Sequence, residues 1–254
     1  MEYKNLVFEI TDQIATITFN REEAYNALNR ALLRELDDAV SEIEKMNSVS
    51  VIIFKGKGNA FVAGADISEM ANMCSTEAKA YGEYGARIFR RIEMMDQVTI
   101  ASINGFCLGG GNELAMACDL RLASSCAKFG QPEVTLGITP GFSGTKRLPR
   151  LVGLTKAKEL LYTGGIITAN EAYEIGLVNY VIAPERLEEE TMKLTIKILN
   201  NSKNAIQYVK RSVDEGVEIP IEEALVVENN YFSKCFDHED QKDRMNAFLN
   251  KNKK

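Results

Sequence analysis

The residues best placed to do chemistry in this sequence surround three consecutive glycines at positions 109–111. They follow an apolar β-type stretch at residues 98–103 and precede a helical pattern that we expect to begin near Asn112, a residue type that often caps helices. The first turn of a helix carries unpaired backbone N–H groups and the positive end of the helix dipole. Such a turn can bind an anion or a carbonyl oxygen that gains negative charge. Glu113 falls in this turn, where it could take part in catalysis or simply complement the dipole.

A second segment, residues 63–66, has the same construction. It contains a glycine, follows a predicted strand at residues 60–63, and precedes a short helix for which Asp66 and Glu69 have the spacing of a capping pair. Both segments therefore offer backbone N–H groups at the start of a helix. Two such groups that converge on one oxygen form an oxyanion hole, and loss of one donor typically lowers the rate by ~10²–10³.

The single histidine limits the kinds of catalytic site that this chain can build. His238 lies in an acidic stretch near the C-terminus. A Ser-His-Asp or Cys-His nucleophile would have to rely on that one residue, and a histidine-rich metal site is excluded. Acid–base chemistry therefore falls to carboxylates, lysines or tyrosines.

The composition is that of an ordinary globular protein, with 45% apolar and 26% charged residues. The net charge of −6 argues against a nucleic-acid partner, and no apolar run reaches the ~20 residues that cross a bilayer. The five cysteines contain no Cys-x-x-Cys pair, and the N-terminal residues lack the pattern of a signal peptide. We therefore expect a cytoplasmic protein with reduced thiols and no membrane or nucleic-acid partner.

The pattern of apolar residues changes character near residue 190. Before that point strand and helix patterns alternate, beginning with a hairpin at residues 3–19 and a helix through residues 32–43. After it the β signal disappears, and three or four amphipathic helices remain. We therefore predict an α/β core at residues 1–190 that contains the active site, followed by a helical region at residues 191–254.

Five short motifs, rich in glycine and carboxylates, follow one another along the core. Each is only moderately specific by itself, but their order and spacing together form a strong signal. The motifs are Ala63-Gly64-Ala65-Asp66-Ile67, Asn104-Gly105-Phe106, Gly109-Gly110-Gly111-Asn112-Glu113-Leu114, Phe129-Gly130-Gln131-Pro132-Glu133 and Gly137-Ile138-Thr139-Pro140-Gly141.

With these motifs the chain resembles the crotonase (enoyl-CoA hydratase) family over essentially its whole length. Within the family it is most similar to the bacterial short-chain hydratases, the 3-hydroxybutyryl-CoA dehydratases. The resemblance implies a crotonase-like α/β spiral of repeated ββα units that ends in a helical region for trimer formation. Members are usually dimers of trimers, so we expect a homohexamer. The resemblance also implies an acyl-CoA thioester substrate, no metal, and no cofactor other than the coenzyme A of the substrate itself.

The resemblance implies roles for four residues. The backbone N–H groups of Ala65 and Gly110 would hold the thioester carbonyl oxygen as it becomes enolate-like. Glu113 would help to activate a water for attack at Cβ, and Glu133 would exchange the proton at Cα. The implied reaction is the reversible syn hydration of short trans-2-enoyl-CoA, such as crotonyl-CoA, to (S)-3-hydroxyacyl-CoA. Without the resemblance, Glu133 would be interpreted as a surface carboxylate of a loop.

The resemblance also suggests further contacts with the substrate. Met70, one turn into its helix, could line the acyl pocket or simply pack in the core. In the family, the C-terminal helix of a neighbouring subunit contributes apolar and basic contacts to coenzyme A, although the basic end of this chain could equally be solvated. The predicted substrate contacts are Ala63, Asp66, Ile67, Met70, Phe248 and Lys251.

The chain departs from the family pattern in the loop before the helix that follows residue 144. Ser143 replaces a glycine, and Lys146 replaces a glutamine. If position 143 requires a positive φ, the serine lowers the local stability or shifts the loop. We expect this departure to affect the shape of the pocket wall and not the class of reaction.

Two other functions are compatible with the same fold. The first is another acyl-CoA reaction, such as enoyl-CoA isomerisation. The second is a non-enzymatic, RNA-binding oligomer with a relict pocket. The pair of glutamates and the acidic net charge favour the hydratase over both.

Overall fold

The computed structural model describes residues 3–251 of the chain, which form two β-sheets and the helices around them. The strands are β1 (Leu6–Thr11), β2 (Ile14–Phe19), β3 (Val51–Gly56), β4 (Ala60–Ala63), β5 (Val98–Ile103), β6 (Phe106–Leu108), β7 (Leu120–Ser124), β8 (Lys128–Gly130), β9 (Ile166–Thr168) and β10 (Tyr180–Ile182). The larger sheet has the order β1-β2-β3-β5-β7-β10, and the smaller sheet has the order β4-β6-β8-β9.

The helices connect and cover these strands. They are α1 (Arg30–Glu44), α2 (Ile67–Met70), α3 (Ser75–Met94), α4 (Gly110–Ala117), α5 (Gly144–Val152), α6 (Leu154–Thr163), α7 (Ala169–Glu174), α8 (Leu187–Leu199), α9 (Lys203–Gly216), α10 (Ile221–Lys234) and α11 (Glu239–Lys251). A short 3-10 turn at Pro132–Leu136 follows β8.

The predicted N-terminal hairpin and first helix are confirmed. β1 pairs with β2 in antiparallel register, with Leu6 opposite Phe19. The period-two pattern of β2 buries Ala15, Ile17 and Phe19 completely, as expected for a strand with one face on the core. Helix α1 buries its apolar stripe, and the side chain of Asn29 caps its first turn by accepting a hydrogen bond from the Leu32 N–H (2.8 Å).

The larger sheet is covered by apolar packing on both faces, as is usual for parallel strands. In β3, Ile52 and Phe54 face the main core with α1 and α3, whereas Val51 and Ile53 belong to a second cluster with residues of α8 and α9. Because both faces of the sheet are buried, β3 and β5 are nearly continuous apolar runs in the sequence.

The predicted repeat of ββα units is confirmed. Three times in succession one strand joins the larger sheet, the next joins the smaller sheet, and a helix or 3-10 turn follows. The three strands of the smaller sheet that arise in this way, β4, β6 and β8, are parallel. Ala63 pairs with Leu108, and Leu108 pairs with Gly130. The three strands therefore end side by side, and the segments that follow them leave the same edge of the sheet.

The helix after β6 begins two residues earlier than the sequence predicts. Gly109 is its N-cap residue with a φ of 49°, so Asn112 lies inside the first turn, and its prediction as the cap is wrong. The physical reason is the packing of Gly111, where a Cβ atom would lie 1.9 Å from the Val62 carbonyl oxygen. The glycines thus let α4 approach β4 closely and begin directly at the edge of the sheet.

The helix after β4 has only part of the predicted cap. The Asp66 carboxylate accepts a hydrogen bond from the Ser68 N–H (3.1 Å) and so caps α2 as expected. The Glu69 carboxylate does not complete a capping pair because it accepts a hydrogen bond from the Arg30 N–H instead (2.9 Å).

Four helices, α8 to α11, follow the last strand, which confirms the predicted helical C-terminal region. Several of their apolar residues are exposed, among them Val213, Val217 and Phe248. Across residues 3–251 no helix is both long enough and apolar enough to span a membrane.

Ser143 adopts the left-handed conformation, with a φ of 87°, immediately before α5. Position 143, where the family pattern has a glycine, therefore does have the positive φ that the sequence analysis considered. A serine in this region of φ/ψ space brings its Cβ close to the backbone, whereas a glycine does not. The substitution therefore stores a local conformational cost in the loop at residues 142–144.

We predict that Ser143→Gly raises the free energy of unfolding by about 1 kcal/mol, because it removes the left-handed cost of a residue with a Cβ atom. The measurement is the midpoint of urea unfolding, with Ser125→Gly as the matched control. Ser125 is exposed in a turn and is not among the residues with positive φ, so its replacement should lower stability through the added freedom of the unfolded chain. Equal effects of the two substitutions would contradict the conformational argument.

Candidate active site

The carboxyl edge of the smaller sheet opens into a cavity of about 860 Å³. Parallel α/β sheets characteristically bind ligands at this edge. The segment after β4 brings Ala65 to the cavity, the segment after β6 brings Gly110 and Glu113, and the segment after β8 brings Glu133. The strand register thus unites four residues that are up to 68 positions apart in the sequence.

The Ala65 N–H group is directed away from the neighbouring backbone by an isolated parallel bridge with Leu28. The Leu28 N–H donates to the Gly64 carbonyl oxygen (2.9 Å), and the Asp66 N–H donates to the Leu28 carbonyl oxygen (2.9 Å). Because hydrogen bonds of this bridge use the residues on either side of Ala65, the N–H of Ala65 itself faces the opposite direction. It donates no hydrogen bond within the described part of the chain.

The Gly110 N–H group is the first of helix α4 and lies at the positive end of the helix dipole. Gly109, the N-cap, is fixed by its own N–H, which donates to the Gly130 carbonyl oxygen (2.9 Å). Among residues 3–251 the Gly110 N–H has no acceptor. Two N–H groups without acceptors therefore stand on neighbouring segments at one edge of the sheet.

Glu113 lines the cavity and is 1% exposed. Its Oε1 atom accepts hydrogen bonds from the Phe142 N–H (2.9 Å) and the Gly144 N–H (2.6 Å). Burial raises the pKa of its carboxyl to about 7, and the negative charge of Glu133 adds to this rise, although the two hydrogen bonds oppose it. A carboxyl group with such a pKa can both accept and release a proton near neutral pH.

Glu133 enters the cavity from the 3-10 turn after β8 and is 9% exposed. Its Oε1 atom lies 3.4 Å from the side-chain nitrogen of Gln131, and its buried Oε2 atom has no hydrogen-bond partner among the described residues. Burial raises the pKa of this carboxyl as well. If residue 109 had a Cβ atom, that atom would lie only 2.9 Å from the Oε1 atom of Glu133. Gly109 therefore leaves room for the Glu133 carboxylate.

The rest of the cavity wall is mostly apolar, as in typical small-molecule sites. The lining includes Met70, Met73, Tyr81 and Phe142. The Tyr81 hydroxyl donates to the Leu28 carbonyl oxygen (2.7 Å), and its ring contacts that of Phe142, with 5.3 Å between the centroids. These contacts fix the wall of the cavity near Glu113.

The other predicted substrate contacts do not all reach this cavity. Ala63, Ile67 and Met70 line it. Asp66 is not part of the lining, since its carboxylate pairs with Ser68 and Arg21.

The two C-terminal candidates lie on the last helix. Phe248 is exposed on α11 and is not part of the lining. Lys251 is the last residue of α11, and its side chain lies outside the described part of the chain.

The sequence did not reveal how Glu113 is held. Its two backbone donors come from the loop that contains Ser143, and nothing in the residue types of Phe142 and Gly144 marks them as hydrogen-bond donors to a glutamate 30 residues away. The departure of Ser143 from the family pattern was the available signal that this loop matters.

Together these groups can perform proton transfer beside a polarised carbonyl. Two buried carboxyl groups with raised pKa values face one cavity, and two free N–H groups stand where they can stabilise an oxygen that becomes negative. A substrate with a carbonyl group conjugated to a reactive carbon would meet both functions.

Comparisons with known proteins show which family the chain matches. Residues 9–254 match the family described as enoyl-CoA hydratase/isomerase. The chain is 48% identical over 254 residues to a crotonyl-CoA hydratase of Syntrophomonas wolfei, with 100% of this chain and 98% of the relative covered. It is 47% identical to a short-chain-enoyl-CoA hydratase of Clostridium acetobutylicum, with 100% and 97% covered.

Solved structures show the same fold. The crystal structure of enoyl-CoA hydratase from Bacillus anthracis matches with a TM-score of 0.94 at 37% identity, with 98% of this chain and 97% of that chain covered. An enoyl-CoA hydratase from Geobacillus kaustophilus matches with a TM-score of 0.96 at 32% identity, with 99% and 96% covered. These findings confirm the resemblance seen in the sequence, and the chain belongs to the enoyl-CoA hydratase/isomerase family.

Proposed function

We propose that this protein catalyses the reversible syn hydration of short-chain trans-2-enoyl-CoA, such as crotonyl-CoA, to (S)-3-hydroxyacyl-CoA. The observation that carries the proposal is the presence of two buried glutamates, Glu113 and Glu133, at one cavity beside the free N–H groups. Hydration of a conjugated thioester needs a base near Cβ and an acid near Cα. The names of the two relatives described above, a crotonyl-CoA hydratase and a short-chain-enoyl-CoA hydratase, support a short acyl chain in the substrate.

In the proposed mechanism the N–H groups of Ala65 and Gly110 bind the thioester carbonyl oxygen. Water attack at Cβ pushes electrons through the conjugated system onto this oxygen, which becomes enolate-like. Preorganised donors that face the developing charge stabilise this state more than the ground state. The positive end of α4 acts in the same direction because Gly110 is its first residue.

Glu113 accepts the proton of the attacking water, and Glu133 donates a proton to Cα. The C–O bond forms at Cβ, the C–H bond forms at Cα, and the double bond between these carbons is lost. Burial raises the pKa of both carboxyls, and neighbouring carboxyls tend to hold one ionised and one protonated group, so one can accept a proton while the other donates one. Dehydration follows the same steps in reverse. None of these proposed steps uses a metal or a redox cofactor.

We further propose that the protein assembles as a dimer of trimers through its C-terminal helices. Val209, Val213 and Val217 recur every fourth residue at the end of α9, and each is more than half exposed. Ile221, at the start of α10, is also more than half exposed. Exposed apolar patches of this kind are typical of interfaces between subunits.

Light scattering after size-exclusion chromatography tests the assembly. We expect a mass six times the 28.3 kDa of the chain, and a smaller species for Val213→Asp, which places a charge in the apolar stripe. A wild-type protein with the mass of one chain would contradict the proposed assembly.

We predict that Glu113→Gln and Glu133→Gln each lower kcat for hydration of crotonyl-CoA by ~10² or more, because each removes a positioned acid–base group. The measurement is the loss of enoyl-thioester absorbance. Glu174→Gln serves as the control, since Glu174 is exposed and makes no ion pair within residues 3–251. Rapid turnover by either active-site variant would overturn the site, and formation of a 3-enoyl product would point to isomerisation instead.

The pH profile gives an independent prediction. Glu113 must be ionised to accept a proton from water, and its pKa is about 7. For hydration, kcat/KM should therefore fall about tenfold per pH unit on the acid side of this value. A profile that stays flat down to about pH 5 would show that a base with an ordinary carboxyl pKa is used.

A further inference from the structure

The orientation of Glu113 depends on a loop outside its own helix. Only its Oε1 atom accepts hydrogen bonds, and both donors, the N–H groups of Phe142 and Gly144, belong to the loop at residues 142–144. The Oε2 atom has no hydrogen bond within the described part of the chain. Any shift of the loop therefore rotates or releases the carboxylate that faces the cavity.

Arg147 holds the same loop through a hydrogen bond to its backbone. This arginine lies in the first turn of α5 and is only 5% exposed. Its Nη1 atom donates to the Phe142 carbonyl oxygen (3.0 Å). Phe142 thus donates to Glu113 with its N–H and accepts from Arg147 with its carbonyl oxygen, so that its backbone connects the two side chains.

Arg147 is in turn fixed by Glu93 of α3. The arginine Nη2 lies 2.9 Å from Glu93 Oε2, and its Nε lies 3.3 Å from Oε1. Burial works to raise the pKa of Glu93, but the hydrogen bonds from Arg147 and Arg90 outweigh it and hold this pKa below its usual value. The pair is therefore ionised, and the planar fork of an arginine suits this two-point contact as a lysine would not.

Charge adds to the geometric effect. The charged groups that shift the pKa of Glu113 are Arg147, from α5, and Glu133, from the segment after β8, when its carboxyl is ionised. The positive charge of Arg147 favours the ionised form of Glu113 and so lowers its pKa, whereas Glu133 raises it. Loss of the arginine charge should therefore move the titration of Glu113 to higher pH.

We propose that Arg147, held by Glu93, is a positioning residue for Glu113: it fixes the loop whose two N–H groups orient the catalytic carboxylate. Arg147 touches neither the cavity nor the reacting atoms, since it is absent from the lining. This inference rests on the hydratase function proposed above for its kinetic readout, but the geometry of the loop does not depend on it.

The first test is the kinetics of Arg147→Met and Arg147→Lys with crotonyl-CoA. We expect Arg147→Met to lower kcat by about tenfold or more with little change in KM, because a small misplacement of a catalytic group is costly. Its acid limb should also move to higher pH. Arg147→Lys keeps the charge but not the fork, so it should lower kcat while the acid limb stays at the wild-type position.

Arg150→Met is the matched control. Arg150 lies on the same helix and forms an ion pair with Glu218, but both side chains are about half exposed, and Arg150 makes no hydrogen bond to the loop at residues 142–144 within the described part of the chain. The control should retain the wild-type kcat and pH profile. Wild-type kinetics of a folded Arg147→Met variant, or an equal shift in Arg150→Met, would overturn the proposal. If Arg147→Met does not fold, Glu93→Gln tests the same contact and should lower kcat.

A second readout does not require turnover. Glutamate labelled with ¹³C at the side-chain carboxyl gives a titration curve for Glu113, assigned by its loss in Glu113→Gln. The Arg147→Met titration should lie at higher pH than that of the wild type, and the Arg150→Met titration should not move. Absence of wild-type hydration would defeat the proposed function alone, whereas an unshifted Arg147→Met titration would defeat the role of the arginine.

Discussion

The parallel pairing of β4, β6 and β8 is the constraint on which the rest of the site depends. The pairs of Ala63 with Leu108 and of Leu108 with Gly130 make the three strands end at one level. Each following segment then contributes one or two groups to the same cavity. A shift of one strand by a single residue would reverse its side-chain faces and carry its donor or carboxylate away from the others.

The site combines groups that are individually unfavourable in a folded protein. Two carboxyl groups are almost completely removed from water, and the left-handed Ser143 adds a local cost. These costs fall on residues that touch one cavity or the loop beside it, whereas the cores on either side of the larger sheet are ordinary apolar packing. The apolar cores of the fold thus offset the free-energy cost of the groups in the site.

The sequence predicted the elements better than their contacts. The glycines at residues 109–111 and the alternation in β2 are local signals, so the turn and the strand could be predicted from them. The start of α4 could not, because it depends on how closely Gly111 packs against Val62. The hydrogen bond from the Phe142 N–H to Glu113 could not be predicted either, because nearly every residue type carries a backbone N–H group. Asp66 was assigned to the substrate from the family resemblance, whereas its carboxylate pairs with Arg21.

Leu28 links the two donors of the proposed oxyanion hole to Tyr81 in the wall of the cavity. Its carbonyl oxygen accepts hydrogen bonds from both the Asp66 N–H and the Tyr81 hydroxyl, and its Cδ1 atom packs against Gly110. A group that displaces Tyr81 therefore acts on the Ala65 segment through the Leu28 carbonyl and on Gly110 through the Leu28 side chain. In the proposed hydratase, an acyl group large enough to displace Tyr81 would also displace the donors for its own carbonyl oxygen, through a residue that does not line the cavity.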